Sequence, residues 1–144
     1  MSTTVTSLTT GHDLPSLVKP AITREQLAAY AEASGDHNPI HLNDDFARLA
    51  GLDGVIAHGM LSMGFLGQFV SGWAGSLEGQ AAVTRLKARF SAMVKPGDVL
   101  TCKGIIKKIE QDEGKTQITL DIWAENQRGE RVTGGDAEIS IRDA

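Results

Sequence analysis

The chain has 144 residues and a formal net charge of −4, with 41% apolar residues. That length fits one domain with a sizeable core. The acidic balance speaks against a nucleic-acid binder, whose phosphate contacts need a basic excess, and no run approaches the ~18 consecutive apolar residues of a membrane span.

The first residues show no basic start followed by an apolar block, so no secretory leader is expected. Residues 1–12 are rich in Ser and Thr and read as a loose lead-in to a single domain spanning 1–144. Pro15 and Pro20 bracket Ser16–Lys19, which suits an edge strand or an extended arm. Thr23 then has the form of an N-cap, with Gln26 at the capping-box position. Leu27, Tyr30 and Ala31 follow at helical spacing and Gly35 supplies a stop, which predicts a helix over about 23–34. Residues 36–58 read as mostly irregular. A helical turn is expected at Asn43–Leu49, with Asn43 as cap and Phe46, Leu49 and Ala50 packing inward.

A second helix is predicted from Gly59 to about Trp73. It has no charged residue, and a helix without a polar face is expected to be buried on all sides. Gly64, Gly67 and Gly72 each cost about 1 kcal/mol against alanine inside a helix. They suit a helix that another element, such as a curved sheet, approaches closely.

From Val83 the period becomes two. Leu86, Ala88 and Phe90 alternate with Arg85, Lys87 and Arg89. Lys95–Asp98 is a turn signal, Val99–Ile109 a second strand, and Asp112–Lys115 a hairpin-type turn. Thr116–Glu125 alternates again, Gln127–Glu130 is another turn, and Ala137, Ile139 and Ile141 mark the last strand. Read locally, three hairpin connections make an antiparallel meander with one apolar face. Wrapping that sheet around the uncharged helix is the economical way to bury both, which gives an α+β architecture. Cys102, the lone cysteine, lies in a strand-like run and reads as a small buried hydrophobe. It allows no intrachain disulfide and suits a reducing cytoplasm.

Gly35-Asp36-His37-Asn38-Pro39-Ile40-His41 carries the most chemistry. It sets a carboxylate and an imidazole five positions apart, across an Asn-Pro step that regular helix does not tolerate. Such a stretch can be a turn in which Asp36 bonds its own backbone. It can equally present an acid and a base to one water molecule. His37 reads as a solvent-facing loop residue, and His58 as a structural partner at the helix start or a wall of the site. Asp36, His37, His41 and His58 can be written down as metal ligands, but no Cys or Glu completes a recognisable spacing. No metal is expected.

Tyr30…Ser34-Gly35-Asp36-His37-Asn38-Pro39-Ile40-His41, with Ala47 six residues on, resembles the hydratase-2 motif of the MaoC-like dehydratases, also called (R)-specific enoyl-CoA hydratases. Ala57-His58-Gly59-Met60-Leu61 looks like the start of that family's central helix. The resemblance runs over about residues 20–141. The Gly-Met-Leu-x-Met-Gly helix start is similar to the small subunits of the (3R)-hydroxyacyl-acyl-carrier-protein dehydratase type.

The resemblance implies a hotdog fold and reversible hydration of trans-2-enoyl thioesters to (3R)-hydroxyacyl thioesters, without cofactor. It makes Asp36 and His41 the catalytic pair and the backbone N–H of Gly59 the donor to the thioester oxygen. Asn38 would hold the loop by hydrogen bonds. Many members carry a serine deeper in the central helix, at the position of Gly67 here; Ser62, one turn earlier, is the candidate substitute. The partners implied are an acyl-CoA or acyl-carrier-protein substrate and a second hotdog subunit, identical or homologous. Arg85, Lys87 and Arg89 form either a solvated sheet face or contacts for carrier phosphates. Two rival activities share these features: a hotdog thioesterase, and a non-catalytic acyl-thioester-binding subunit.

Overall fold

The structure, a computed structural model, describes residues 4–142. Three helices, α1 (Arg24–Ser34), α2 (Asp44–Leu49) and α3 (Gly59–Gly75), precede most of the sheet. The strands are β1 (Leu17–Val18), β2 (Gln80–Phe90), β3 (Thr101–Asp112), β4 (Lys115–Glu125) and β5 (Arg131–Arg142).

Local chemistry accounts for the helix ends. The Thr23 side chain accepts a 3.0 Å hydrogen bond from the Gln26 N–H, and Gly35 closes α1 in the left-handed region at φ 79°. Asn43 caps α2 in the same way, accepting from the Phe46 N–H at 3.0 Å. Such caps are worth about 1 kcal/mol each.

The sheet is antiparallel with strand order β1-β3-β4-β5-β2. The β3–β4 and β4–β5 hairpins form as the turn signals predict, but β2 and β3 do not pair. Instead β2 lies against β5 at the far edge, with a register break between Val83 and Arg85. The Lys95–Asp98 turn does close locally, through Asp98 N–H to the Lys95 carbonyl. Residues 91–100 are nevertheless used as a crossover. The Val94 carbonyl accepts from the Ala57 N–H, and Gly97 and Asp98 pair with Ile22. A turn signal reports that the chain reverses, not which strand it returns to.

The edge of β3 is occupied by the N-terminal arm. Gly11 N–H donates to Ile106 O at 2.7 Å, Leu14 N–H to Gly104 O at 2.9 Å, and Lys19 N–H to Leu100 O at 2.9 Å. Leu8 is buried. The described part of the expected loose lead-in, from Leu8 on, is therefore docked on the sheet; residues 1–3 lie outside the described residues. Among the described residues no strand pairs with the outer edge of β2.

One contiguous apolar cluster joins Leu66, Phe69, Val70 and Trp73 of α3 to Ile106, Ile118, Leu120, Ile122, Ile139 and Ile141 of the sheet. Each such side chain contributes roughly 1.5–3 kcal/mol when fully buried. This is the expected hotdog arrangement, an α+β sheet curled on a central helix. A Cβ on Gly104 would stand 3.1 Å from the Phe69 ring, so β3 passes α3 closely there.

Two packing expectations are corrected. α3 is not buried all round: Met60, Gly64, Gln68, Ser71, Gly72 and Gly75 form an exposed stripe at helical spacing. Its lack of charge reflects small residues as much as burial. On α2, Phe46 and Leu49 are exposed, Leu49 at 87%, as is Ala50 just past its end, and among the α2 residues only Ala47 reaches the interior. A six-residue helix presents too short a face to bury them all.

Candidate active site

The loop after α1 is built by side-chain bonds to its own backbone. Ser34 Oγ accepts from the Asp36 N–H at 3.1 Å. Asp36 Oδ1 accepts from the Asn38 N–H, and Asn38 Oδ1 from the Ile40 N–H, both at 3.2 Å. Pro39 then begins a single 3-10 turn ending at His41. The turn reading describes Asp36. One of its oxygens holds the turn, while Oδ2 stands 3.9 Å from Nε2 of His41.

The His41 ring is fixed from the other side. Its Nδ1 lies 2.7 Å from the Ile56 carbonyl. A carbonyl only accepts, so in the neutral ring Nδ1 carries the hydrogen and Nε2 presents a lone pair toward Asp36. The 3.9 Å gap is too long for a direct hydrogen bond. One oxygen ~2.8 Å from each group would bridge it. The pair is poised to accept both hydrogens of a single water.

His58 packs behind this pair. It is 1% exposed and its ring stacks on His41 at 3.9 Å between centroids, with the planes 27° apart. Its Nε2 lies 3.1 Å from the Asp36 carbonyl, and its Nδ1 has no partner among the described residues. Burial holds the His58 imidazole below its usual range, opposed in part by the bond to the Asp36 carbonyl. Asp36, His41 and His58 form the one cluster of possible metal ligands among the described residues.

His58 is also the residue before Gly59, the first residue of α3. The N–H groups of a helix's first turn have no carbonyl within the helix to bond and sit at the positive end of its dipole. A cavity of about 340 Å³ opens beside that turn, walled by His41, Gly59, Ser62, Phe90, Met93 and Thr133 among others. Asp36 is not a wall of this cavity; its Oδ2 stands 3.9 Å from His41, which is. At Gly59 a Cβ would meet the Phe90 ring at 3.3 Å, so the helix start is bare only because glycine occupies it.

His41, Gly59 and Ser62 share one cavity wall, Asp36 stands beside His41, and the Asn38 N–H and side chain bond within the loop. At Gly67 a Cβ would face Leu86 Cδ2 at 3.6 Å, within the core. His37 is half-exposed, 3.9 Å from Glu32. Arg85, Lys87 and Arg89 do not line the cavity, and Arg85 stands 3.8 Å from both Asp136 and Glu138. Cys102 is fully buried, and desolvation pushes its thiol up to about 11. The sequence reading missed Ile56, Phe90 and Thr133. Ile56 acts through its carbonyl, which any residue supplies, so no residue type could signal it. Phe90 reads from sequence only as part of the apolar face of a strand.

The chain matches the MaoC-like domain family over residues 7–126. It is 37% identical over 113 residues to fatty acid synthase 2 of Mycosarcoma maydis, a match covering 75% of this chain and 3% of that protein. The chain thus spans only a small part of the curated fatty acid synthases it matches. Among solved structures it resembles an (R)-hydratase from A. caviae involved in PHA biosynthesis, with TM-score 0.79 and 26% identity over 92% of this chain and 96% of the other. It also resembles a MaoC-like dehydratase, with TM-score 0.81 and 32% identity over 99% of this chain and 43% of the other.

Proposed function

The chain belongs to the MaoC-like dehydratase family, and from that premise we propose that it is a hydro-lyase adding water reversibly across a trans-2-enoyl thioester to give the (3R)-hydroxyacyl thioester. The observation that carries the reading is the 3.9 Å gap between Asp36 Oδ2 and His41 Nε2, with the opposite nitrogen of the ring held by Ile56.

One water donates a hydrogen to each group. His41 Nε2 takes one proton as the water oxygen bonds to Cβ, and the π electrons of the double bond move onto the thioester oxygen. The Gly59 N–H at the head of α3 stabilises that oxygen as charge develops. His41 then returns the proton to Cα, which restores the carbonyl and leaves the enzyme unchanged. Asp36 remains a carboxylate throughout, orienting the water and facing the transient imidazolium. Asn38 holds the loop, and Ser62 supplies a hydroxyl in the cavity wall. No cofactor or metal enters this scheme.

The carrier is coenzyme A or an acyl carrier protein, with Lys87 and Arg89 the side chains offered to its phosphates and Arg85 already engaged by acidic neighbours. A second hotdog subunit, identical or homologous, would pair along β2, because an eleven-residue open edge is a template for another strand. No helix among the described residues is long and apolar enough to cross a membrane. A cytoplasmic setting, suggested by the single cysteine, is part of the same reading.

The test is a purified protein incubated with crotonyl-CoA while enoyl absorbance and free thiol are followed together. Loss of absorbance without thiol is the expected result. Thiol release would make the protein a thioesterase, and binding without turnover would make it a non-catalytic acyl-binding subunit.

A further inference from the structure

His58 adjoins Asp36, His41 and Gly59 and does none of the chemistry assigned above. Through Nε2 it meets the Asp36 carbonyl at 3.1 Å. Through its face it meets the His41 ring at 3.9 Å. Through its own peptide bond it carries Gly59, the head of α3. Its ring also meets Tyr30 of α1, with centroids 4.8 Å apart and planes 60° apart. We propose that His58 is a positioning residue, an uncharged imidazole that holds the Asp36 carboxylate, the His41 ring and the Gly59 amide in one fixed arrangement. This inference rests on the hydratase reading of the site.

In the neutral ring the bonding pattern determines the tautomer: the Asp36 carbonyl accepts, so Nε2 carries the hydrogen and Nδ1 has none. That bare Nδ1 is buried without a partner among the described residues. An orphaned buried acceptor costs stability, and a leucine would fill the space without that cost. Leucine would lose two things: a donor for the Asp36 carbonyl and a flat face for His41. The charged and titratable groups around the ring are Asp36, His37 and His41 of the loop and Tyr30 of α1. When His41 holds the transferred proton, an uncharged ring stacked on it adds no repulsion, whereas a second imidazolium would. Burial, which opposes charging of His58, acts in the same direction.

Two substitutions separate the two contacts. His58→Gln keeps an amide N–H for the Asp36 carbonyl and loses the stack. His58→Phe keeps the stack and loses the donor. Both are expected to remain folded by circular dichroism and to lower kcat about 10–100-fold with KM within about twofold, since small misplacements of reacting groups carry costs of that order. Gln, which keeps the bond nearest the carboxylate, is expected to fall less. The second readout is independent of turnover. Imidazole nitrogen shifts by NMR at pH 7 should give His58 as the neutral Nε2–H form and His41 as the Nδ1–H form. His41 should keep the Nδ1–H form in both variants, because the Ile56 carbonyl still accepts from that ring.

Wild-type kcat in both variants, or a charged or Nδ1–H His58, would each overturn the inference. If the variants fail to fold, the wild-type nitrogen shifts still decide it. A wild-type protein that never hydrates crotonyl-CoA defeats the hydratase reading instead, and the nitrogen shifts separate the two failures.

Discussion

The Ile56 carbonyl stands 2.7 Å from Nδ1 of His41 and so decides which nitrogen of that ring holds the hydrogen. Ile56 and Ile40 also pair through Ile56 N–H to the Ile40 carbonyl at 3.1 Å. The segment leading into α3 and the loop after α1 are thereby tied together, and a backbone carbonyl leaves the lone pair of Nε2 on the side of Asp36.

Loss of either member of the pair should remove most turnover. Asp36→Asn and His41→Ala are each expected to lower kcat by ~10²-fold or more, the usual cost of lost acid–base help. In Asp36→Asn the new amide keeps an oxygen for the Asn38 N–H, so the loop should survive. Steady-state rates beside thermal melts check both points, and a near-normal rate in either variant would remove that residue from the mechanism.

Gly59→Ala tests the head of α3. The new methyl would meet the Phe90 ring at 3.3 Å, and that ring is half-exposed and able to give way. Folding should be little changed, because alanine is the better helix former. The methyl would occupy the approach of the thioester oxygen. A fall in kcat/KM of about 10²-fold is expected, comparable to loss of one oxyanion donor, and an unaltered kcat/KM would place that oxygen elsewhere.

Stability should weaken in mild acid, and His58 should account for part of the slope. Its folded pKa is depressed because it is buried, while in the unfolded chain an imidazole titrates near ~6.5. As pH falls through that value the unfolded chain takes up the proton first. Folding therefore loses free energy from ~6.5 downward until the folded pKa is reached. Denaturant midpoints measured between about pH 7.5 and 5 should fall less steeply in His58→Gln. Equal slopes would mean that burial does not depress His58.

Neighbouring glycines of β5 should behave differently. A Cβ on Gly135 would lie 1.8 Å from the Lys87 carbonyl oxygen of β2, a backbone atom that cannot step aside. Gly135→Ala should therefore cost at least ~2 kcal/mol by forcing the β2–β5 ladder apart. On Gly134 the Cβ would meet Trp123 Cβ at 3.5 Å, ordinary contact, and Gly134→Ala should be tolerated. Urea unfolding of both variants checks the contrast.

Much of this was legible because the signals are local. Thr23, Asn43 and Gly35 act at helix ends within a few residues of themselves, and all three do what their chemistry predicts. The alternation of Ile118, Leu120 and Ile122 on β4 turns one face to the core as read. Where the reading failed, the answer lay outside the window. The placement of β2 beside β5 depends on what residues 91–100 pack against, and the exposure of Leu49 depends on what lies over α2.

The same division holds at the site. The sequence alone determined that Asp36 and His41 are tied across a stiff turn, because aspartate and asparagine side chains, proline and a left-handed glycine each act on their nearest neighbours. It also determined that a bare glycine would head an uncharged helix. Only the tertiary structure decided the tautomer of His41, the ring stacked on it and the sheet edge left open. The first depends on a carbonyl fifteen residues away and the second on a ring fixed by a backbone oxygen twenty-two residues back. Backbone oxygens are the same for every residue, so no residue identity announces them.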